Sequence, residues 1–193
     1  MNIRAYGDAA VLIDCESLEE AQSWFVALEA HAEAVLGARS VLLRGDPAVL
    51  RRLVAHTSAA PPLTPAGVAG IDVPVTYDGP DLANIAQLTG LTEQEVVEAH
   101  IATPWTVAFG GFAPGFFYLV GAGPQLRVPR HESPRTRVPQ GAVGLAGEFS
   151  GIYPRESPGG WQLLGRTTLS LWDTHRDPPA LLTSGMSVRF VQQ

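Results

Sequence analysis

From residue 105 onward the chain is poor material for any long helix. Twelve of its 20 glycines fall between positions 110 and 165, interleaved with prolines. Glycine loses the most backbone freedom in a helix, and proline removes a donor and clashes with the preceding turn. Short β-type runs alternate with these turns as far as Ser187-Val188-Arg189-Phe190-Val191. Many short strands joined by Gly/Pro turns define a barrel or a sandwich.

The first sixty residues have a different texture. Residues 2–13 read as short strands about a turn at Gly7-Asp8. Ser17 and Glu20 stand at capping-box spacing, and Ala21, Trp24, Phe25, Leu28, Ala32 and Val35 follow at helical spacing. That pattern predicts one helix from residue 18 to about 35, stopped at Gly37. Residues 39–43 form a strand, and Asp46-Pro47 opens a second helix with proline at its favoured first position. Strands plus two helices give a small α/β sandwich. Residues 57–70 carry no Asp, Glu or Arg and are rich in Ala, Pro, Gly and Thr, as a linker is. The expected domains are therefore 1–66 and 71–193. At the start of the second, residues 71–77 alternate as a strand does. Two short helices follow, one from near Pro80 to Thr89, the other capped by Thr92 with Glu95 and ending near His100.

Several functions are excluded by what the chain lacks. All 13 of its basic residues are arginine. Without lysine it cannot be a Walker-A ATPase, a Schiff-base enzyme using its own amine, or a biotin carrier. One cysteine, Cys15, rules out an internal disulfide framework. The histidines at 31, 56, 100, 131 and 175 show no metal-ligand spacing, so no metal site is expected. His31 and His56 read as surface helix residues. His100, at a helix end, suits either a protonated cap favoured by the helix dipole or a functional group. Net charge is −6, which argues against nucleic acid, although residues 101–193 carry eight arginines against five acids. Residues 101–125 contain no charge, but three prolines and five glycines make them buried strands and turns, not a membrane span. No signal peptide is visible, and a soluble, cytoplasmic protein is expected.

The chemistry concentrates between Phe109 and Arg166. Six arginines lie between 127 and 166, and Arg130, Arg135 and Arg155 each follow a proline. Proline stiffens the backbone from which such a side chain springs. A guanidinium offers a planar fork to carboxylate or phosphate, and glycines let backbone N–H groups approach an anion. Together they describe a rigid oxyanion-binding surface. The competing reading is that the arginines hold loops by ion pairs while Gly and Pro merely turn a barrel.

The motifs in this segment are GFAPGFFYL from Gly111, VPR from Val128, SPRTRVPQG from Ser133, GIYP from Gly151 and SPGGWQLLGRT from Ser157. Taken together they resemble the bacterial family called the 5-oxoprolinase B subunit, allophanate hydrolase subunit 1 or KipI-like. The likeness is dense from about 100 to 175 and weaker at Tyr6–Leu12 and Val73-Pro74-Val75. It implies an α+β fold: a small N-terminal α/β domain followed by a cyclophilin-like β-barrel.

By the same resemblance, the chain is the B subunit of an ATP-dependent complex that opens 5-oxoproline to glutamate; the missing nucleophile, lysine and metal ligands predict that it is inactive alone. Its partners are a companion C subunit of the allophanate hydrolase subunit 2 type and an A subunit, with ATP acting at the level of the complex. The alternative within the resemblance is a KipI-like regulator that inhibits a histidine kinase. Carried over by motif position, Arg130, Arg135 and Arg166 are the catalytic candidates. Phe112, Pro114, Gly115, Tyr118, Gly141, Tyr153, Gly159, Gly160 and Trp161 are the candidates for binding a small carboxylate substrate. Two places depart from the family pattern: Gln140-Gly141-Ala142, where Ala-Gly-Ser is common, and Phe149-Ser150, where Gln-Thr is common.

Overall fold

The structure is a computed structural model that describes residues 1–61, 70–121 and 123–193. The chain forms two compact units, Met1–Thr64 and Pro65–Gln193. Most of the linker expected at 57–70 lies outside the described residues.

In the first unit, β1 (Asn2–Ala5), β2 (Ala10–Asp14), β3 (Glu33–Leu36) and β4 (Ser40–Arg44) form an antiparallel sheet in the order β1-β2-β4-β3. The helices α1 (Leu18–Leu28) and α2 (Pro47–Ala55) pack against it. Alternation buries Val11 and Ile13 beside their partners Leu43 and Val41, all fully enclosed. Asp46 caps α2 by accepting from the N–H groups of Ala48 and Val49. Ser17 caps α1 through the N–H of Glu20, at 3.1 Å. The return arm of the expected box is displaced by one residue, because the Glu20 carboxylate accepts from the Glu16 N–H at 2.7 Å.

The first helix is shorter than its sequence periodicity predicts. It ends at Leu28, and residues 33–36 pair with β4 as an edge strand. Ala32 and Val35 fit a helical face, but the hairpin about Gly37 gives this stretch backbone partners and a cross-strand ion pair, Glu33 with Arg44 at 3.2 Å. Strand pairing here overrides local propensity.

The second unit is built on β5 (Ile71–Val75), β6 (Trp105–Gly110), β7 (Phe117–Val120), β9 (Ala142–Ala146), β10 (Phe149–Ile152), β12 (Gln162–Arg166) and β13 (Ser187–Gln192). Their order is β12-β9-β10-β7-β6-β13-β5, antiparallel except for the parallel pair β5–β13. A bridge between Thr76 and Arg166 joins the two edges, so the sheet nearly closes into a barrel. A separate ribbon pairs β8 (Arg135–Val138) with β11 (Ser157–Gly159). The helix α3 (Leu82–Thr89) packs on β12, and α4 (Glu93–Ala102) on α3 and β13. Both arms of the capping box expected at Thr92 and Glu95 are formed.

This sheet is apolar on both faces. Val143 and Leu145 join the main core with Leu119, Leu164 and Phe190. Ala142 and Ala146 alternate to the other face, where Phe116, Tyr153, Trp161 and Leu163 form a second cluster. Gly144 and Gly151 are partners across β9–β10, and a Cβ at Gly151 would stand 2.9 Å from the Trp161 ring. That glycine pair leaves room for Trp161 to approach the sheet closely.

His100 is not a helix cap. It is fully buried, with Nδ1 2.9 Å from the Tyr77 hydroxyl and Nε2 3.0 Å from Ser150 Oγ. Ser150 also donates to the Gly144 carbonyl. Its hydroxyl therefore accepts from Nε2–H, and Tyr77 donates to Nδ1. Burial pushes the His100 pKa down to about 3, so the ring is neutral.

Candidate functional site

The second apolar cluster opens at the surface as an aromatic pocket. It is a small cavity of about 60 Å³ lined by Phe112, Phe116, Tyr118, Arg130, Tyr153, Gly159, Gly160 and Trp161. Phe116 sits at its centre and meets Tyr118, Tyr153 and Trp161 edge to face at 5.2–5.4 Å. Such contacts set positive ring edges against negative faces and fix the walls. The bare backbone of Gly159 covers the Tyr153 hydroxyl, and a side chain there would collide with it. Burial raises the Tyr153 pKa, while the Trp161 backbone, Arg130 and Arg135 pull the other way.

Phe112 is the strained wall. Its φ of 68° lies in the left-handed region, which costs a bulky side chain roughly 1–2 kcal/mol. It is nonetheless 61% exposed, with its ring set edge to face against Phe116 and Tyr153. Neither the core nor the turn needs a phenylalanine there. Strain on an exposed aromatic at the mouth of a pocket points to contact with a ligand.

The three candidate arginines separate. The Arg130 guanidinium lies 5.9 Å from the Trp161 ring centre and pairs with no carboxylate among the described residues. Arg135 donates to Asp81 Oδ1 at 2.6 Å, and Arg166 to Asp78 at 2.8–3.2 Å. Arg166 and one arm of Arg135 already hold carboxylates of this chain, whereas Arg135 Nη1 is buried without a partner. Arg130, unpaired among the described residues, is free to hold another molecule's.

Among the other candidates, Phe112, Tyr118, Tyr153, Gly159, Gly160 and Trp161 are brought together in the pocket. Pro114 lies exposed in the turn before it, and Gly115 is packed against Trp172 and Leu171. Gly141 is elsewhere. It has φ of 80°, donates to the Tyr153 carbonyl and accepts from the Thr167 N–H. Its neighbour Gln140, with Arg166 and Thr167, lines a different, polar depression. The two departures from the family pattern miss the pocket: Ala142 is buried beneath it and Phe149 braces Tyr118.

Sequence reading passed over Phe116, the hub of the pocket, because it looked like any core aromatic. It also passed over Asp81, which is 4% exposed and was legible only as a helix start. Burial alone would raise the Asp81 pKa. The hydrogen bonds from Arg135 and the Leu163 N–H, with His131 Nε2 close by at 3.2 Å, outweigh it and hold the carboxyl below its ordinary range. A larger cavity of about 670 Å³ opens beside Trp105, but its charged residues, Asp72 and Arg189, pair with each other. Its lining therefore offers no unpaired charge.

A pocket of ring edges with one free guanidinium can grip a flat, anionic head group. Among the described residues it holds no Ser–His or Cys–His pair and no metal-binding cluster. The fold that carries it matches part of the Kluyveromyces lactis urea amidolyase structure with a TM-score of 0.78 at 21% identity, over 99% of this chain and 15% of that one. The chain belongs to the family described as carboxyltransferase domain, subdomain C and D, whose model matches residues 1–182. It is 52% identical over 126 residues to the 5-oxoprolinase B subunit of Escherichia coli O157:H7, covering 64% of this chain and 58% of that protein. It is 42% identical to the Bacillus subtilis protein of the same name, covering 63% and 52%. The chain thus spans little more than half the length of these relatives. The crystal structure of TTHA0988 superposes with a TM-score of 0.78 at 33% identity, covering 96% of this chain and 40% of that one.

Proposed function

We propose that this chain is the B subunit of an ATP-dependent 5-oxoprolinase-type complex, which opens 5-oxoproline to glutamate. The relatives that carry the 5-oxoprolinase name support the assignment. The observation that carries it is Arg130, unpaired among the described residues and set beside an aromatic pocket, which offers a fork to the carboxylate of a small substrate. Opening a lactam breaks a C–N bond as water adds to the carbonyl carbon, and negative charge grows on the oxygen. ATP, at the level of the complex, supplies the driving force.

In this reading the chain holds and orients the substrate. Arg130 forks the carboxylate, Phe112, Phe116 and Trp161 contact the ring, and the Gly159–Gly160 backbone approaches it closely. The chemistry is completed by the companion C and A subunits in the cytoplasm. Co-expression with the adjacent genes tests this. The expected result is glutamate formed from 5-oxoproline with ATP consumed; a stable complex that consumes neither overturns the reading.

A further inference from the structure

The back of the aromatic pocket is tied to one buried carboxylate. Asp81 precedes α3 but makes no side-chain cap bond to it. Its Oδ1 accepts from Arg135 Nη2 at 2.6 Å and lies 3.2 Å from His131 Nε2, while Oδ2 accepts from the Leu163 N–H at 2.7 Å. These contacts come from two stretches, 131–135 and the start of β12, and each stretch adjoins the pocket. Arg135 faces Gly159 across the β8–β11 ribbon. His131 follows Arg130, and its backbone N–H donates to the Gly160 carbonyl at 2.8 Å. Leu163 begins two residues after Trp161.

We infer that Asp81 is a positioning residue: through Arg135, His131 and Leu163 it holds Arg130 and the Gly159–Trp161 wall in place over the aromatic floor. A fork is useful only if its base is fixed, since a shift of about 1 Å can cost a hundredfold in rate. Arg130 is exposed and has no ion pair among the described residues, so its placement depends on the segment that bears it. Arg135, whose sequence setting made it a catalytic candidate, serves here as a brace. The inference deepens the reading of this pocket as the substrate site.

Asp81→Asn tests it. Asparagine keeps an acceptor for Leu163 but removes the charge that gathers Arg135 and His131. In the isolated chain, amide exchange at 130–131 and 159–161 should accelerate about tenfold or more, with β9 unchanged. Uniform acceleration, or none, overturns the inference, because an anchor for general stability loosens every element alike. In the reconstituted complex the variant should raise the KM for 5-oxoproline about tenfold and leave the KM for ATP unchanged. Unchanged KM for 5-oxoproline overturns the positioning role. If the unmodified complex does not turn over 5-oxoproline, the functional reading fails and the exchange pattern still decides Asp81. Should Asp81→Asn fail to fold, Arg135→Met, which removes the 2.6 Å contact and keeps an apolar stem, takes its place with the same readouts.

Discussion

Arg130 and Arg135 both follow a proline, yet they face different partners. Arg135 meets a carboxylate inside the fold, and Arg130 meets a ring face and solvent. Arg130→Lys keeps the charge but loses the two-pronged geometry. We expect the reconstituted complex to lose about ten- to a hundredfold in kcat/KM for 5-oxoproline, the worth of a charge-assisted hydrogen bond. Thermal stability should move by less than about 0.5 kcal/mol, as for an exposed site; a large loss of stability with full activity would assign Arg130 to the fold. Phe112 should behave in the opposite sense. Phe112→Gly relieves a left-handed φ, so urea denaturation should find the chain up to about 1 kcal/mol more stable. The complex should nonetheless bind 5-oxoproline more weakly, the trade between stability and function expected of a strained site residue. Unaltered binding would remove Phe112 from the pocket's working surface.

At the scale of elements, His100 joins the end of α4 to β10 through Ser150 and to the stretch after β5 through Tyr77. It also packs on Phe190 at 4.3 Å. Its folded pKa of about 3 lies below the ordinary value of 6.5, so between those limits the unfolded chain binds the extra proton. The stability it contributes is complete above pH 6.5 and drains away as pH falls towards 3. At about 1.4 kcal/mol per unit the full loss is on the order of several kcal/mol. Urea midpoints measured from pH 7 to pH 4 should fall steeply in the wild-type chain and less steeply in His100→Gln. Parallel slopes would mean that His100 does not carry the acid sensitivity. The paired carboxylates Asp72, Asp78, Asp81, Glu95 and Glu156 add to acid loss in both proteins, because their pKa values are also held down. The difference between the two slopes isolates the histidine. Elements with a local signature were legible in advance: Asp46-Pro47 opens α2 and the Thr92–Glu95 box opens α4. The short strand β3 was not, since Glu33, Ala34, Val35 and Leu36 suit a helix as well, and only pairing with β4 decides them.

At the scale of the molecule, the chain divides into the units Met1–Thr64 and Pro65–Gln193, each with its own sheet. We propose that they are separate domains with a boundary in the uncharged run 57–70. Limited proteolysis should then cut first between 57 and 70 and leave two resistant fragments; first cuts elsewhere would count against an exposed linker. The isolated chain should form no glutamate from 5-oxoproline, because its pocket offers a grip and no paired nucleophile and base. Activity of the chain alone would require a catalytic group that the pocket does not hold.

The sequence by itself determined the strand-rich second half, the helix starts with caps, and the cluster of Gly, Pro and Arg in which the pocket lies. These follow from backbone stereochemistry and from spacing within a few residues, which a chain carries wherever it folds. Only the tertiary structure decided which guanidinium stays free. Asp81 and Arg135 are far apart in sequence and meet because β8 and the start of α3 converge behind the pocket. A different convergence, of α4 with β10, made His100 a neutral core residue, since Ser150 reaches it from a distant strand. An ion pair or a buried hydrogen bond depends on the distance between two side chains, and no local pattern in the sequence encodes that distance.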